Sequence, residues 1–167
     1  MVRIAIVAEC FLPARNGVTN SILRVVEQLD RRGIESLIVA PGDGPTECGT
    51  TPVVRVPGVR LPFYRDLAVG LPSDALRGAL EDFAPDVVHL AAPAVLGAMG
   101  SRQAAKLGIP TVAVYQTDYA GFADRYRLGK LDRAVWRTLR TVHGQAAVTL
   151  APSTSAAWPW SASRSGS

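Results

Sequence analysis

The sequence predicts an α/β domain built as a Rossmann-like, doubly wound parallel sheet. Three observations lead there. Short β-prone apolar runs recur along the 167 residues, and the first is unbroken enough to be buried on both faces of a sheet. Between these runs lie segments of about a dozen residues whose apolar side chains keep helical spacing. Gly and Pro cluster at many of the junctions, where a chain must turn.

The elements follow in order. Residues 2–8 (VRIAIVA) form the first strand, and residues 9–18 a loop carrying Pro13 and Gly17. Thr19 caps a helix with Ile22, Val25, Val26 and Leu29 on one face, ending at Gly33. Residues 35–40 form a strand that the run PGDGP at 41–45 stops, and residues 52–56 a short one. Residues 57–72 have little periodicity and several Gly and Pro, so a long surface loop is expected. Ser73 caps a second helix with Leu76, Ala79, Leu80 and Phe83 on one face. Residues 86–91 are a strand, 94–107 a helix closed by Gly108, and 111–115 a strand. An amphipathic helix over 131–142 and a last strand over 146–150 complete a domain of residues 1–153. Strands alternating with helices imply right-handed βαβ units. Residues 154–167 read as an unstructured tail, because Pro159 stands between Trp158 and Trp160 and a Ser-rich stretch follows. From about Pro159 onward the expectation is an out-of-frame or vector-derived sequence.

Composition narrows the class. Apolar residues make up 48% and charged residues 19%, which is globular and not disordered. A net charge of +4 suits phosphates, anionic lipid or nucleic acid, and equally a merely soluble surface. Cys10 and Cys48 have no metal or disulfide spacing, so no metal site is expected and Cys10 reads as a buried free thiol in a reducing cytoplasm. The start lacks the apolar core of a signal peptide. The most apolar stretch, residues 87–100, contains His89 and Pro93 and is too short to span a bilayer, so any membrane contact is peripheral.

In such a sheet, ligands bind beyond the carboxyl ends of the strands. Three loops leave those ends: residues 9–19, 91–94 and 116–126. The first runs onto a helix amino terminus, where free N–H groups and the helix dipole favour an anion. Gly17 leaves room for a phosphate beside the backbone, and Asn16 tolerates unusual angles. The alternative is a tight turn needing Gly for geometry alone. Neither the three-glycine dinucleotide fingerprint nor a Walker loop is present. The third loop gathers Gln116 and Asp118 with Tyr115, Tyr119 and Phe122, a mixture that suits hydroxyl-rich ligands. Its alternative is aromatic packing with Asp118 as a helix cap. His89 is assigned to the core or just behind the site, and His143 to a favourable charge or cap at a helix end.

The ordered set VRIAIVAECFLPARNGVTNSI, PDVVHLAAPAVLGAMG, YQTDYAGFADRY and APS resembles the amino-terminal domain of family 4 retaining glycosyltransferases of the GT-B fold. Within that family it is most similar to actinobacterial GDP-mannose-dependent α-mannosyltransferases acting on lipid acceptors, over residues 1 to about 158. The resemblance implies that Asn16, Gly17 and Val18 face the donor diphosphate. It implies a sugar-contacting, catalytic role for Asp118, at a loop where many relatives place a histidine. Glu9, Phe11, Gln116, Tyr119, Arg125 and Tyr126 are then expected on the acceptor side of the cleft. The implied substrates are a nucleotide-sugar, GDP-mannose, and a glycolipid acceptor, with no cofactor, no metal and no nucleic acid.

Retaining transfer of this kind depends on stabilising the departing diphosphate. No E-x7-E-type motif together with the supporting second domain that would hold the donor is read in the sequence, so the chain alone is expected to be inactive. The alternative is a non-catalytic module that binds a nucleotide-sugar or sugar-phosphate. A small dehydrogenase or epimerase is disfavoured by the missing glycines. On the last helix Lys130, Arg133, Arg137 and Arg140 share a face beside Trp136, which reads either as an anionic-membrane contact on the inner face of the plasma membrane or as a solvated basic face.

Overall fold

A computed structural model describes residues 1–61, 64–91, 93–116 and 130–151. Nine strands and four helices occur among them. They are β1 (Arg3–Ala8), α1 (Gly17–Arg31), β2 (Glu35–Pro41), β3 (Glu47–Cys48), β4 (Thr51–Val56), β5 (Gly58–Leu61) and β6 (Tyr64–Gly70). The chain continues as α2 (Asp74–Phe83), β7 (Val87–Ala91), α3 (Val95–Lys106), β8 (Thr111–Val114), α4 (Lys130–Gln145) and β9 (Val148–Leu150). The expected tail lies outside the described residues, as do Asp118, Tyr119, Arg125 and Tyr126.

Seven strands form one sheet in the order β3-β4-β2-β1-β7-β8-β9. All neighbours are parallel except β3, which pairs antiparallel with β4 at the edge. This is the doubly wound arrangement expected. The chain first builds outward from β1 to β2 and β4, then returns to the other side of β1 with β7. Strand order therefore reverses between β1 and β7.

Alternation along each buried strand supplies two cores. Ala5, Val7, Leu37, Val39, Val88 and Leu90 pack beneath α2 and α3 on one face, with Val142 of α4 joining them. Ile6, Ala8, Ile38 and Ala40 pack beneath Ile22, Val26 and Leu29 of α1 on the other. Burial on both faces explains why β1 and β2 read as near-continuous apolar runs.

Two expectations change. Residues 57–72 are not simply a loop: β5 and β6 pair as an antiparallel two-stranded sheet. Gly and Pro hid this, because Gly58 and Gly70 lie where the hairpin presses on the main body. A Cβ on Gly58 would sit 3.0 Å from Pro41 Cβ, and one on Gly70 would sit 3.1 Å from Leu96 Cβ. The first helix also starts earlier than Thr19. Asn16 is its N-cap and Gly17 its first residue, so Thr19 is the third helical position.

Candidate functional site

The crevice beyond the carboxyl ends of β1 and β7 receives the amino termini of α1 and α3. Both helix ends carry N–H groups without intrahelical partners and the positive end of a helix dipole. They are treated differently.

At α1, Asn16 has ordinary extended backbone angles, φ −144° and ψ −177°, and not the unusual ones anticipated. Its side chain is occupied at both ends. Oδ1 accepts from the Thr19 N–H at 2.9 Å, and Nδ2 donates to Cys10 Sγ at 3.1 Å. Thr19 Oγ1 donates back to the Ala14 carbonyl at 3.0 Å, closing the loop onto the first turn. Cys10 is a buried free thiol, as expected, and burial pushes it above the usual thiol range. Gly17 is exposed and helical, and a Cβ built on it meets nothing within 4 Å among the described residues. The described packing therefore makes no demand for glycine there. Its N–H and that of Val18 belong to the opening positions of the helix, which have no intrahelical partner.

At α3 the end is sealed from within. The N-cap is Ala94, whose side chain cannot accept a hydrogen bond. Glu9, at the end of β1, supplies the missing acceptor: Oε1 accepts from Ala94 N–H at 2.8 Å and Gly97 N–H at 2.7 Å. Glu9 is only 5% exposed. Burial raises its carboxyl above the usual range, and the backbone donors of residues 94–97 act against that rise. Gly97 is required for this fit, since a Cβ there would lie 2.5 Å from Pro93 Cβ and 3.4 Å from Glu9 Oε1. Glu9, expected among the cleft residues, thus acts as the cap of α3.

Phe11, also expected in the cleft, is 3% exposed and belongs to the core beneath α1. Its apolar ring completes the packing around Ile22 and Ala8, and the Arg55 guanidinium lies 5.9 Å from its centroid. Gln116 is half-buried at the end of β8, two strands along from β1 on the same edge of the sheet. Tyr115 meets the His143 ring edge-on, with centroids 5.9 Å apart. His143 is 4% exposed, and its Nδ1 lies 3.3 Å from Thr149 Oγ1. Burial lowers its pKa to about 4, so at neutral pH it is uncharged, and of the two expectations, helix-end charge or cap, the charge is not met. His89 lies half-buried in β7, in register with Ile6 and Val112, and burial lowers its pKa too.

On α4, Leu139 and Val142 face the core while Arg133, Arg137 and Arg140 are exposed. With Trp136 and Thr141 these arginines line a shallow recess of about 470 Å³, and Arg140 lies 6.0 Å from the Trp136 ring centroid. The side chain of Lys130 is outside the described set. No helix among the described residues is long and apolar enough to cross a membrane.

Sequence reading missed Arg55. Its one signal was a lone charge inside the β-prone run TPVVRV. Nothing local announced that its guanidinium reaches the carbonyl of Leu12.

Fold and site together define a doubly wound α/β domain with one open and one sealed helix end at its switch point. Residues 15–159 match the Glycosyltransferase Family 4 profile, and the chain belongs to that family. It is 50% identical over 163 residues to a GDP-mannose-dependent alpha-mannosyltransferase of Mycolicibacterium smegmatis, an alignment covering 92% of this chain and 43% of that protein. The enzyme of the same name from Corynebacterium glutamicum is 47% identical over 156 residues, covering 90% of this chain and 38% of the relative. A sulfoquinovosyl transferase of Arabidopsis thaliana is 28% identical over 141 residues, covering 83% and 28%. The chain thus spans about two-fifths of the length of its bacterial relatives. Among solved structures, the UDP-GlcNAc 2-epimerase of Methanocaldococcus jannaschii shares the fold, with a TM-score of 0.52 at 15% identity, over 91% of this chain and 40% of that one.

Proposed function

We propose that this chain forms the acceptor-side, phosphate-facing part of a retaining transferase that moves mannose from GDP-mannose to a lipid or glycolipid acceptor. The observation that carries the reading is the open amino terminus of α1 at the switch point of a Family 4 chain. The donor diphosphate accepts from the Gly17 and Val18 N–H groups, and the helix dipole stabilises negative charge as the sugar–phosphate bond breaks. Asn16 holds the turn that presents them. Asp118 contacts the transferred sugar, and Gln116, Tyr119, Arg125 and Tyr126 line the acceptor side. An apolar recess of about 400 Å³ between α3 and α4, lined by Val95, Ala98, Met99 and Leu139 among others, suits the hydrophobic part of an acceptor. Arg133, Arg137 and Arg140 with Trp136 then rest on an anionic membrane surface, on the cytoplasmic side. Groups outside these 167 residues complete the grip on nucleotide and sugar, since the relatives are more than twice as long.

Titration of the chain with GDP-mannose, followed by amide NMR, tests the donor site. The expected result is saturable shifts centred on Gly17, Val18 and Thr19. Shifts confined to the amino-terminal edge of the sheet, or none at millimolar ligand, would overturn the assignment. Flotation with phosphatidylglycerol vesicles tests the membrane face: binding should be lost when Arg133, Arg137 and Arg140 are all replaced by Ala. Equal flotation of that variant would rule the face out.

A further inference from the structure

Arg55 lies in β4, on the far side of β2 from β1. Its side chain nevertheless crosses to the loop that delivers α1. Nη2 donates to the Leu12 carbonyl at 2.6 Å, across 43 residues of sequence, and Nε donates to the Pro45 carbonyl at 3.1 Å. The guanidinium faces the Phe11 ring. Gly44 admits this junction, because a Cβ there would overlap both Arg55 Nη2 and the Leu12 carbonyl oxygen. Partial burial lowers the guanidinium's pKa and nearby Asp43 opposes that, so the group stays charged.

From Leu12 the connection continues to α1. Two residues further on, the Ala14 carbonyl receives the Thr19 hydroxyl, and Thr19 N–H in turn is held by Asn16. A planar fork that bonds two carbonyls while lying over a ring fixes position and orientation together, which a lysine ammonium cannot do. We propose that Arg55 is a positioning residue for the first turn of α1, acting through Leu12 and Phe11 to set where the Gly17 and Val18 N–H groups point. Its consequence for ligand binding rests on the donor-site reading given above.

The test compares the full chain with Arg55→Met and Arg55→Lys, using GDP as the probe and amide exchange as a second readout. Circular dichroism confirms that each variant is folded at the assay temperature. Arg55→Met should raise the GDP Kd about tenfold, with Arg55→Lys recovering part of the loss. Amide exchange at Gly17, Val18 and Thr19 should speed up about tenfold, while amides in β7 and β8 keep their rates. A folded Arg55→Met chain with the unaltered chain's Kd and unaltered exchange in the first turn of α1 overturns the proposal. Should the unaltered chain show no saturable heat with GDP, the donor reading fails. The positioning role is then decided by exchange alone: acceleration confined to the first turn supports it, and unchanged rates overturn it.

Discussion

The amino termini of α1 and α3 enter one crevice from adjacent strands, yet only one is left open. At α3 an alanine N-cap would leave buried N–H groups without acceptors, and Glu9 reaches from the end of β1 to satisfy two of them. At α1 the helix brings its own cap, Asn16, which satisfies the third position, and among the described residues no side chain caps the opening N–H groups. Glu9 Oε1 already occupies two of the N–H groups at the α3 end, so an external anion gains little there. The difference shows that a helix amino terminus becomes an anion site only when the fold has not already filled it.

Glu9→Ala leaves one buried and one part-buried backbone donor unmet, which should cost about 3 kcal/mol and lower Tm by roughly 10 °C in a thermal melt. Glu9→Gln keeps an acceptor oxygen and should lose much less. A loss for Glu9→Ala within 0.5 kcal/mol, roughly the surface-substitution range, would show that α3 is not sealed by this residue. Asn16→Ala should cost about 1 kcal/mol, the usual value of an N-cap, and should expose Cys10 to faster labelling by a thiol reagent. Labelling at the unaltered rate would separate the cap from the thiol.

Both comparisons belong at pH 7 or above, because His143 adds a pH dependence of its own. Its folded-state pKa is about 4 against an ordinary value of 6.5. The unfolded chain therefore takes up a proton first as pH falls. The stability that depends on neutral His143 is fully present above pH 6.5 and is lost on acidification toward pH 4. His143→Gln should lower Tm at pH 7.5 yet flatten its fall between pH 6.5 and 4. A slope equal to the unaltered chain's would dismiss the histidine as the cause. The smallest effect on stability is expected at Gly17. Gly17→Ala places a methyl group in open space on a helical residue, so stability should change by no more than about 0.5 kcal/mol in either direction. Weakened GDP-mannose binding by the same variant would sharpen the contrast, since the methyl would then matter to a ligand and not to the fold.

Most of the scaffold was legible because its elements are periodic over many residues. Residues 2–8 and 35–40 read as strands to within a residue or two, and α2, α3 and α4 appear where their apolar spacing places them. The family resemblance is likewise upheld, on residues 15–159. The hairpin β5–β6 was not legible, since four- and seven-residue strands interrupted by Gly and Pro carry no periodic signal until they press on Leu96 and Pro41. The crevice was legible as a location, through strand alternation, and only in part as chemistry. Asn16 looked like a residue of unusual backbone and is a two-ended clamp in an ordinary one. Glu9 and Phe11 looked like cleft groups and are a helix cap and a core side chain.

The order of residues along the chain dictates the alternation of strands and helices, hence a doubly wound sheet and a crevice at its carboxyl edge. Those follow from local periodicity, which each segment carries within its own dozen residues. Long-range packing selects which helix end in that crevice a side chain seals. The acceptor that seals α3 lies 85 residues from Ala94, and the arginine that holds the loop before α1 lies 43 residues from Leu12. Side chains so distant in sequence leave no local pattern, because capping and tethering need only one well-placed atom and no repeat.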